Sequence, residues 1–240
     1  ELFSNPDYRP DMLKIYPCLV IKGTPLYLQW QQGKFAPVTT AEAAEIISEF
    51  KRVVPKWCRI MRVNRDIPTY LTSAGVDRTN LRQYVQRVQQ EKNIICNCIR
   101  CREIGRKGWS GNSTITVTAY EGSGGKEFFI SAEDPGNDAL IGFCRMRFPS
   151  QQLRGEITAT TAIIRELHVY AAAVAIGKVP DEEAKMQHRG FGKKLMAAAE
   201  ELAKKSGMDK MLVISGVGAK EYYKKLGYDY EGPYMGKKLI

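Results

Sequence analysis

The sequence has only two histidines, His168 and His188, so a general base drawn from imidazoles has little choice of position. No apolar run is long enough to span a membrane, and no signal peptide is visible, so the expected place is the cytoplasm, with no membrane partner. There is no opening methionine. The chain starts at Glu1 in mid-pattern, as a piece of a longer protein would. Acidic residues are scarce in one stretch. Between Lys51 and Lys107 stand 14 basic and 4 acidic residues, while the rest is balanced at 22 against 22. The net charge of +10 is therefore local. Such an excess is the footprint of a polyanion partner, RNA or DNA first, with an idle solvated face as the plainer alternative.

Cysteines are too few and too uneven for a secreted disulfide scaffold. Of six, three crowd into Cys96-Asn97-Cys98-Ile99-Arg100-Cys101. Thiolates at this spacing suit tetrahedral zinc with a distant fourth ligand. Cys58, a histidine, a carboxylate or water are the candidates for it. An iron–sulfur cluster, or simply free buried cysteines, are the alternatives.

What is present reads as an α/β chain. Asp11 to Leu28 is expected to be a strand around Leu19-Val20-Ile21 that ends in a Gly23-Thr24-Pro25 turn. Ala41 to Val54 has helical spacing, with Thr39 or Thr40 as N-cap and Pro55 as the stop. In Arg59 to Arg65 arginine recurs at every third residue. On a strand these cannot share one face; on a helix or turn they could. Leu81 to Gln90 is a further helix. Gly105 to Asn112 is a glycine-rich connector and domain boundary. Three strands, Thr114–Tyr120, Glu127–Ala132 and Leu140–Phe148, form an antiparallel meander, and Ala159–Tyr170 is a fourth strand.

The stretch Gln187-His188-Arg189-Gly190-Phe191-Gly192-Lys193-Lys194 opens a helix carrying Leu195, Ala199, Leu202 and Ala203 on one face. Glycines admit a ligand close to the backbone. Unpaired amides and the helix dipole favour a diphosphate there, although a G-x-G turn alone is a weak signal. A strand Lys210–Ser215, a short helix Ala219–Leu226 and a last strand follow.

This order resembles the GCN5-related N-acetyltransferases. Closer still, Glu166-Leu167-His168-Val169-Tyr170, the Gln187–Gly192 loop, Ile214-Ser215-Gly216-Val217-Gly218, Tyr222–Tyr228 and Gly232-Pro233-Tyr234-Met235 resemble the family of the Elongator catalytic subunit. So do Arg59-Ile60, Arg65-Asp66-Ile67-Pro68 and Lys14-Ile15-Tyr16-Pro17. The Cys96, Cys98, Cys101 trio is similar to archaeal and bacterial members.

The resemblance implies a mixed acetyltransferase sheet with splayed central strands over 113–240. Ahead of it would stand the tail of a radical S-adenosylmethionine barrel over 1–92 and a metal-binding linker over 93–112. It implies acetyl-CoA-dependent modification of the wobble uridine of tRNA at C5. A [4Fe-4S] cluster and S-adenosylmethionine would belong to the intact protein, for the C-x-x-x-C-x-x-C motif is not in this sequence. Acetyl-CoA would meet Glu166, Leu167, His168 and Val169 through main-chain groups. Gln187, Gly190, Phe191, Gly192 and Lys193 would take the pyrophosphate, with Tyr222 and Tyr223 near the sulfur. Tyr223 is the candidate proton donor, with positioning alone or plain packing as alternatives, and Glu166 or His168 the candidate base, the alternative being that both are structural and the contacts there main-chain only. One departure stands out: Ala171 replaces the family's glycine after His-Val-Tyr. Arg59, Arg62, Arg65, Arg78, Arg82, Arg100 and Arg102 would meet tRNA phosphates. The other partners would be a second copy of the chain or the absent radical domain. Two rival functions remain, a protein lysine acetyltransferase and a non-enzymatic RNA-binding module on a relic fold.

Overall fold

The structure, a computed structural model, describes residues 1–170 and 190–239. The chain forms two compact units, Pro10–Cys101 and a second made of Glu1–Arg9 with Arg102–Ile240.

In the first unit, β1 (Met12–Ile15) runs parallel to β3 (Arg59–Val63), and β2 (Val20–Ile21) pairs antiparallel with β4 (Thr72–Ala74). Three helices accompany them: α1 (Pro25–Gln31), α2 (Thr40–Arg52) and α3 (Leu81–Glu91). The core is the apolar stripe of α2, Ala43, Ala44 and Ile47, set against Leu81 and Val85 of α3 and Val76. Thr39 starts α2 with a capping box. Its hydroxyl accepts from the Glu42 amide at 3.2 Å, while the Glu42 carboxylate accepts from the Thr39 amide at 2.8 Å.

The strand expected around Leu19-Val20-Ile21 is β2, only two residues long, and a turn at Gly23 follows it; Pro25 then starts a helix, Pro25–Gln31, that the sequence reading did not expect. Thr24 is the N-cap, and Pro25 stands at the first helical position, where a missing N–H costs nothing. Arg59–Val63 takes the strand form of the three that the sequence allowed.

The second unit begins with the end of α4 (Ile99–Arg102) and with α5 (Ile104–Lys107). Its strands are β5 (Thr114–Gly122), β6 (Gly125–Asp134), β7 (Ala139–Phe148), β8 (Thr161–Val169), β9 (Lys210–Val213), β10 (Asp229–Glu231) and β11 (Tyr234–Lys238). They form one mixed sheet in the order β10-β11-β9-β8-β7-β6-β5. The helix α6 (Phe191–Lys205) lays Leu195, Met196, Ala199 and Ala203 onto Ile130, Ile141, Cys144 and Met146. A short helix, α7 (Lys220–Lys224), follows β9.

The boundaries differ from those expected. Residues 1–9 join the sheet unit: the Ser123 amide donates to Pro6 O at 2.8 Å, and Arg9 donates to Glu121 O at 2.8 Å. Within Gly105 to Asn112, expected as a connector, α5 runs on to Lys107 and the Ser110 amide donates to the Asp134 carboxylate at 2.5 Å.

The feature that positions the site is the junction of β8 and β9. They pair in parallel from Thr161↔Lys210 to Ile164↔Val213, and the Ile214 amide donates to Ile164 O at 2.9 Å. Beyond that point β8 continues to Val169, paired among the described residues with β7 alone. The splay implied by the resemblance is present.

Candidate functional site

A cleft of about 470 Å³ opens where β8 leaves β9. Leu167 and Val169 line it from β8, Gly190, Gly192 and Lys193 from the start of α6, and Ala219, Tyr222 and Tyr223 from the α7 region. Gly190 is the N-cap of α6 at φ +75°, a conformation that L side chains rarely adopt. It has no side chain to cap the helix, and among the described residues no side chain takes its place there, so the first amides of α6 suit a ligand. The first turn has no acidic residue and carries Lys193 and Lys194 instead. The helix dipole disfavours cations at this end, and an anion would reverse the balance.

Gly192 closes on Tyr222. A Cβ at Gly192 would lie 2.6 Å from the Tyr222 Oη. That hydroxyl is buried and has no hydrogen-bond partner among the described residues. An orphaned buried hydroxyl costs free energy until something meets it. The residues present therefore fit a coenzyme with a diphosphate and an acyl tail: bare glycine backbone, free amides, a lysine and a waiting hydroxyl. Tyr223 is more deeply buried. Burial pushes its phenol up to about 12, with Cys144 and Tyr222 adding to the effect. It keeps its proton at neutral pH, as a donor to a thiolate must.

The catalytic expectation for Glu166 and His168 is corrected as far as the cleft is concerned. Alternation along β8 puts Leu167 and Val169 into the cleft and leaves Glu166 and His168 on the other face. The Glu166 carboxylate accepts from Arg145 Nε at 3.0 Å, and Arg145 is itself 1% exposed. The His168 ring packs at 4.4 Å from Tyr170 and 6.0 Å from Phe143. Phe191 is buried in the core under the cleft and offers the site its backbone only. Gln187, His188, Arg189 and Ala171 lie outside the described residues.

In the first unit, Cys96, Cys98 and Cys101 have their sulfurs within 4.8 Å of one another. Four thiolates around zinc stand roughly 3.8 Å apart, given bonds of about 2.3 Å. The spacing suits a soft divalent ion. Cys58 is not in this group. It is buried, and its carbonyl accepts from the Ile99 amide at 3.0 Å, anchoring the thiol loop to the end of the segment before β3. Hydrogen bonds from Cys96 and Cys98, and then Lys51, hold the Cys101 thiol far below its ordinary range. The reciprocal bond to Cys101 pushes Cys96 up.

The arginines divide. Arg65 and Arg78 are exposed, with Arg65 5.0 Å above the Tyr16 ring and Arg78 3.8 Å from Asp77. Arg62 is exposed and pairs with Asp66. Arg59, Arg82 and Arg100 are half-buried, and Arg82 donates to Ile60 O and Met61 O at 3.4 Å each. Arg102 is a correction. It is fully buried in the other unit, bound to Glu133 at 2.6 Å and Asp138 at 3.3 Å, so its charge is spent inside the protein.

Two participants were missed by the sequence reading. Ala219 lines the cleft as a small residue, with no signal to mark it. Lys51 had a signal: it extends the buried α2 series Ala43, Ala44, Ile47, Ser48 by one helical step, an odd place for a lysine.

Comparison with known proteins agrees with this geometry. Residues 100–228, just over half of the chain, match the Acetyltransferase (GNAT) family, and residues 10–92 match the Radical_SAM C-terminal domain. A tRNA uridine(34) acetyltransferase of Methanocaldococcus infernus is 46% identical over 100% of this chain and 46% of its own length. The human Elongator complex protein 3 is 41% identical over 100% of this chain and 45% of its own. The chain thus spans about half the length of these curated relatives. The solved structure of the M. infernus Elp3 with an N-terminal deletion superposes with a TM-score of 0.90 at 44% identity, covering 99% of this chain and 57% of that one. The chain belongs to the acetyltransferase (GNAT) family, with a radical SAM C-terminal domain ahead of the acetyltransferase domain.

Proposed function

We propose that this chain binds acetyl-CoA in the β8–β9 cleft and serves as the acyl-holding part of a tRNA wobble-uridine-modifying acetyltransferase. The observation that carries the reading is the orphaned Tyr222 hydroxyl facing Gly192 where the two strands part. Bound acetyl-CoA supplies a thioester, whose acetyl group is the unit to be used. The chain's own residues do the rest. The amides of Phe191, Gly192 and Lys193 hold the diphosphate, with the Lys193 ammonium adding charge. The unpaired edge of β8 beyond Ile164 offers main-chain groups to the pantetheine arm. The apolar wall of half-buried Leu167 and Val169 and buried Tyr223 limits water at the thioester. In thioester hydrolysis, Tyr223 would protonate the sulfur as the oxygen of water bonds to the carbonyl carbon and the C–S bond breaks, and the proton released by that water would restore the phenol.

Arg59, Arg62, Arg65, Arg78, Arg82 and Arg100 supply the phosphate-facing charge that places tRNA without reading its sequence. Cys96, Cys98 and Cys101 hold zinc as a structural clip, in keeping with a reducing cytoplasm. Among the described residues no second cysteine or histidine group stands ready for an iron–sulfur cluster, and we assign none of the radical chemistry to this chain.

Isothermal titration with a non-hydrolysable acetyl-CoA analogue, followed by a thioester hydrolysis assay with and without tRNA, tests the reading. Saturable binding and tRNA-stimulated hydrolysis support it. Peptide acetylation with no tRNA effect would turn it into a protein acetyltransferase, and absence of coenzyme binding into an RNA-binding module.

A further inference from the structure

Lys51 stands in the last turn of α2, where a lysine ordinarily reaches into water. Here it is 1% exposed. Among the described residues its ammonium has one hydrogen-bond partner, the Cys101 sulfur at 3.5 Å, and no carboxylate partner. An ammonium withdrawn from water costs several kcal/mol unless an anion faces it. A neutral thiol is a weak acceptor and carries no charge. The ammonium is aimed at a cluster of soft donors, for the sulfurs of Cys96 and Cys98 lie within 4.8 Å of the Cys101 sulfur that it meets.

Charge counting extends the point. Three thiolates around a divalent ion leave one net negative charge, whatever neutral group completes the shell. One buried ammonium brings the total to zero. We propose that Lys51 is the outer-sphere partner of a metal ion held by Cys96, Cys98 and Cys101, fixing the Cys101 sulfur by a hydrogen bond and offsetting the charge of the trithiolate centre. The proposal rests on the metal reading given above. Lys51 is a positioning residue and not a ligand, because a protonated amine has no lone pair to give. It also fastens the cysteine loop to α2, so metal uptake and the packing of that helix are linked.

The test compares the whole chain with Lys51→Met and Lys51→Gln, reduced and free of oxygen. Zinc affinity is read by competition with a chromophoric chelator, the thiolate set by the absorption of the cobalt form, and stability by thermal melting with and without zinc. Lys51→Met is expected to bind zinc about 10–100-fold more weakly. Without metal it should melt only slightly below the parent, since the Cys101 thiol can take up a proton once the ammonium is gone. With zinc it should melt lower. A lysine that serves packing alone would lower both melts alike. Glutamine, a donor without charge, should fall between. Zinc affinity of Lys51→Met within twofold of the parent overturns the proposal. Should that variant not fold, Lys51→Gln decides: unchanged zinc affinity overturns, weakened affinity supports. If the parent chain itself takes up neither zinc nor cobalt, the metal reading fails first and this proposal with it.

Discussion

At Gly192 one missing carbon keeps the cleft open. A Cβ there would meet the Tyr222 Oη at 2.6 Å, and the phenol is too stiff to yield without leaving its place. Gly192→Val should therefore weaken acetyl-CoA binding at least about tenfold in titration calorimetry, at an overpacking cost of about 1–3 kcal/mol. Circular dichroism should stay unchanged. Tyr222→Phe makes a two-sided test of the orphaned hydroxyl. Removing it should raise the ligand-free protein's stability by about 1 kcal/mol in urea melts, while weakening coenzyme binding several-fold. If both quantities fall together, the hydroxyl has a structural partner. Arg102→Met should cost about 3–5 kcal/mol of stability, because Glu133 is left at 13% exposure without its guanidinium. A loss under 1 kcal/mol would show that the pair is not what holds this corner. That Gly190, Gly192, Tyr222 and Tyr223 line one cleft follows what the family resemblance implied, and for the two glycines also what residue type and spacing suggested. The burial of Arg102 was not legible, since its partners Glu133 and Asp138 are more than thirty positions away.

Elements were legible where a local signal existed. Helical spacing behind Thr39 or Thr40 announced α2, and alternation announced the meander. Thr39→Ala removes the hydroxyl's bonds with the Glu42 amide and carboxylate, leaves the Thr39 amide on that carboxylate, and should lower stability by about 1 kcal/mol, read as a shifted urea midpoint with unchanged slope. A larger loss would mean that Thr39 does more than cap. The misreading of Pro25–Gln31 has a physical source. A glycine-threonine-proline run marks either a turn or a helix start, and no buried residue on α1 gives it a periodic stripe to decide between them. The facing of Glu166 and His168 followed from alternation, which the sequence reading had used. What it could not supply was which face holds the cleft, because that depends on β9 pairing with only the first part of β8.

For the whole molecule, the two compact units divide the chemistry. The thiol trio and the exposed arginines Arg62, Arg65 and Arg78 belong to one, and the coenzyme cleft to the other. The local charge excess was visible from counting alone. The inclusion of residues 1–9 with the sheet unit was not, because it rests on main-chain bonds to a hairpin more than a hundred positions away. The central claim concerns the parted strands, and one measurement reaches it directly: a crystal structure with a non-hydrolysable acetyl-CoA analogue. The account predicts diphosphate oxygens on the amides of Phe191, Gly192 and Lys193, with the acyl arm between Val169 and Tyr223. An analogue bound elsewhere, or a cleft closed by Tyr222 with the diphosphate site empty, would contradict it.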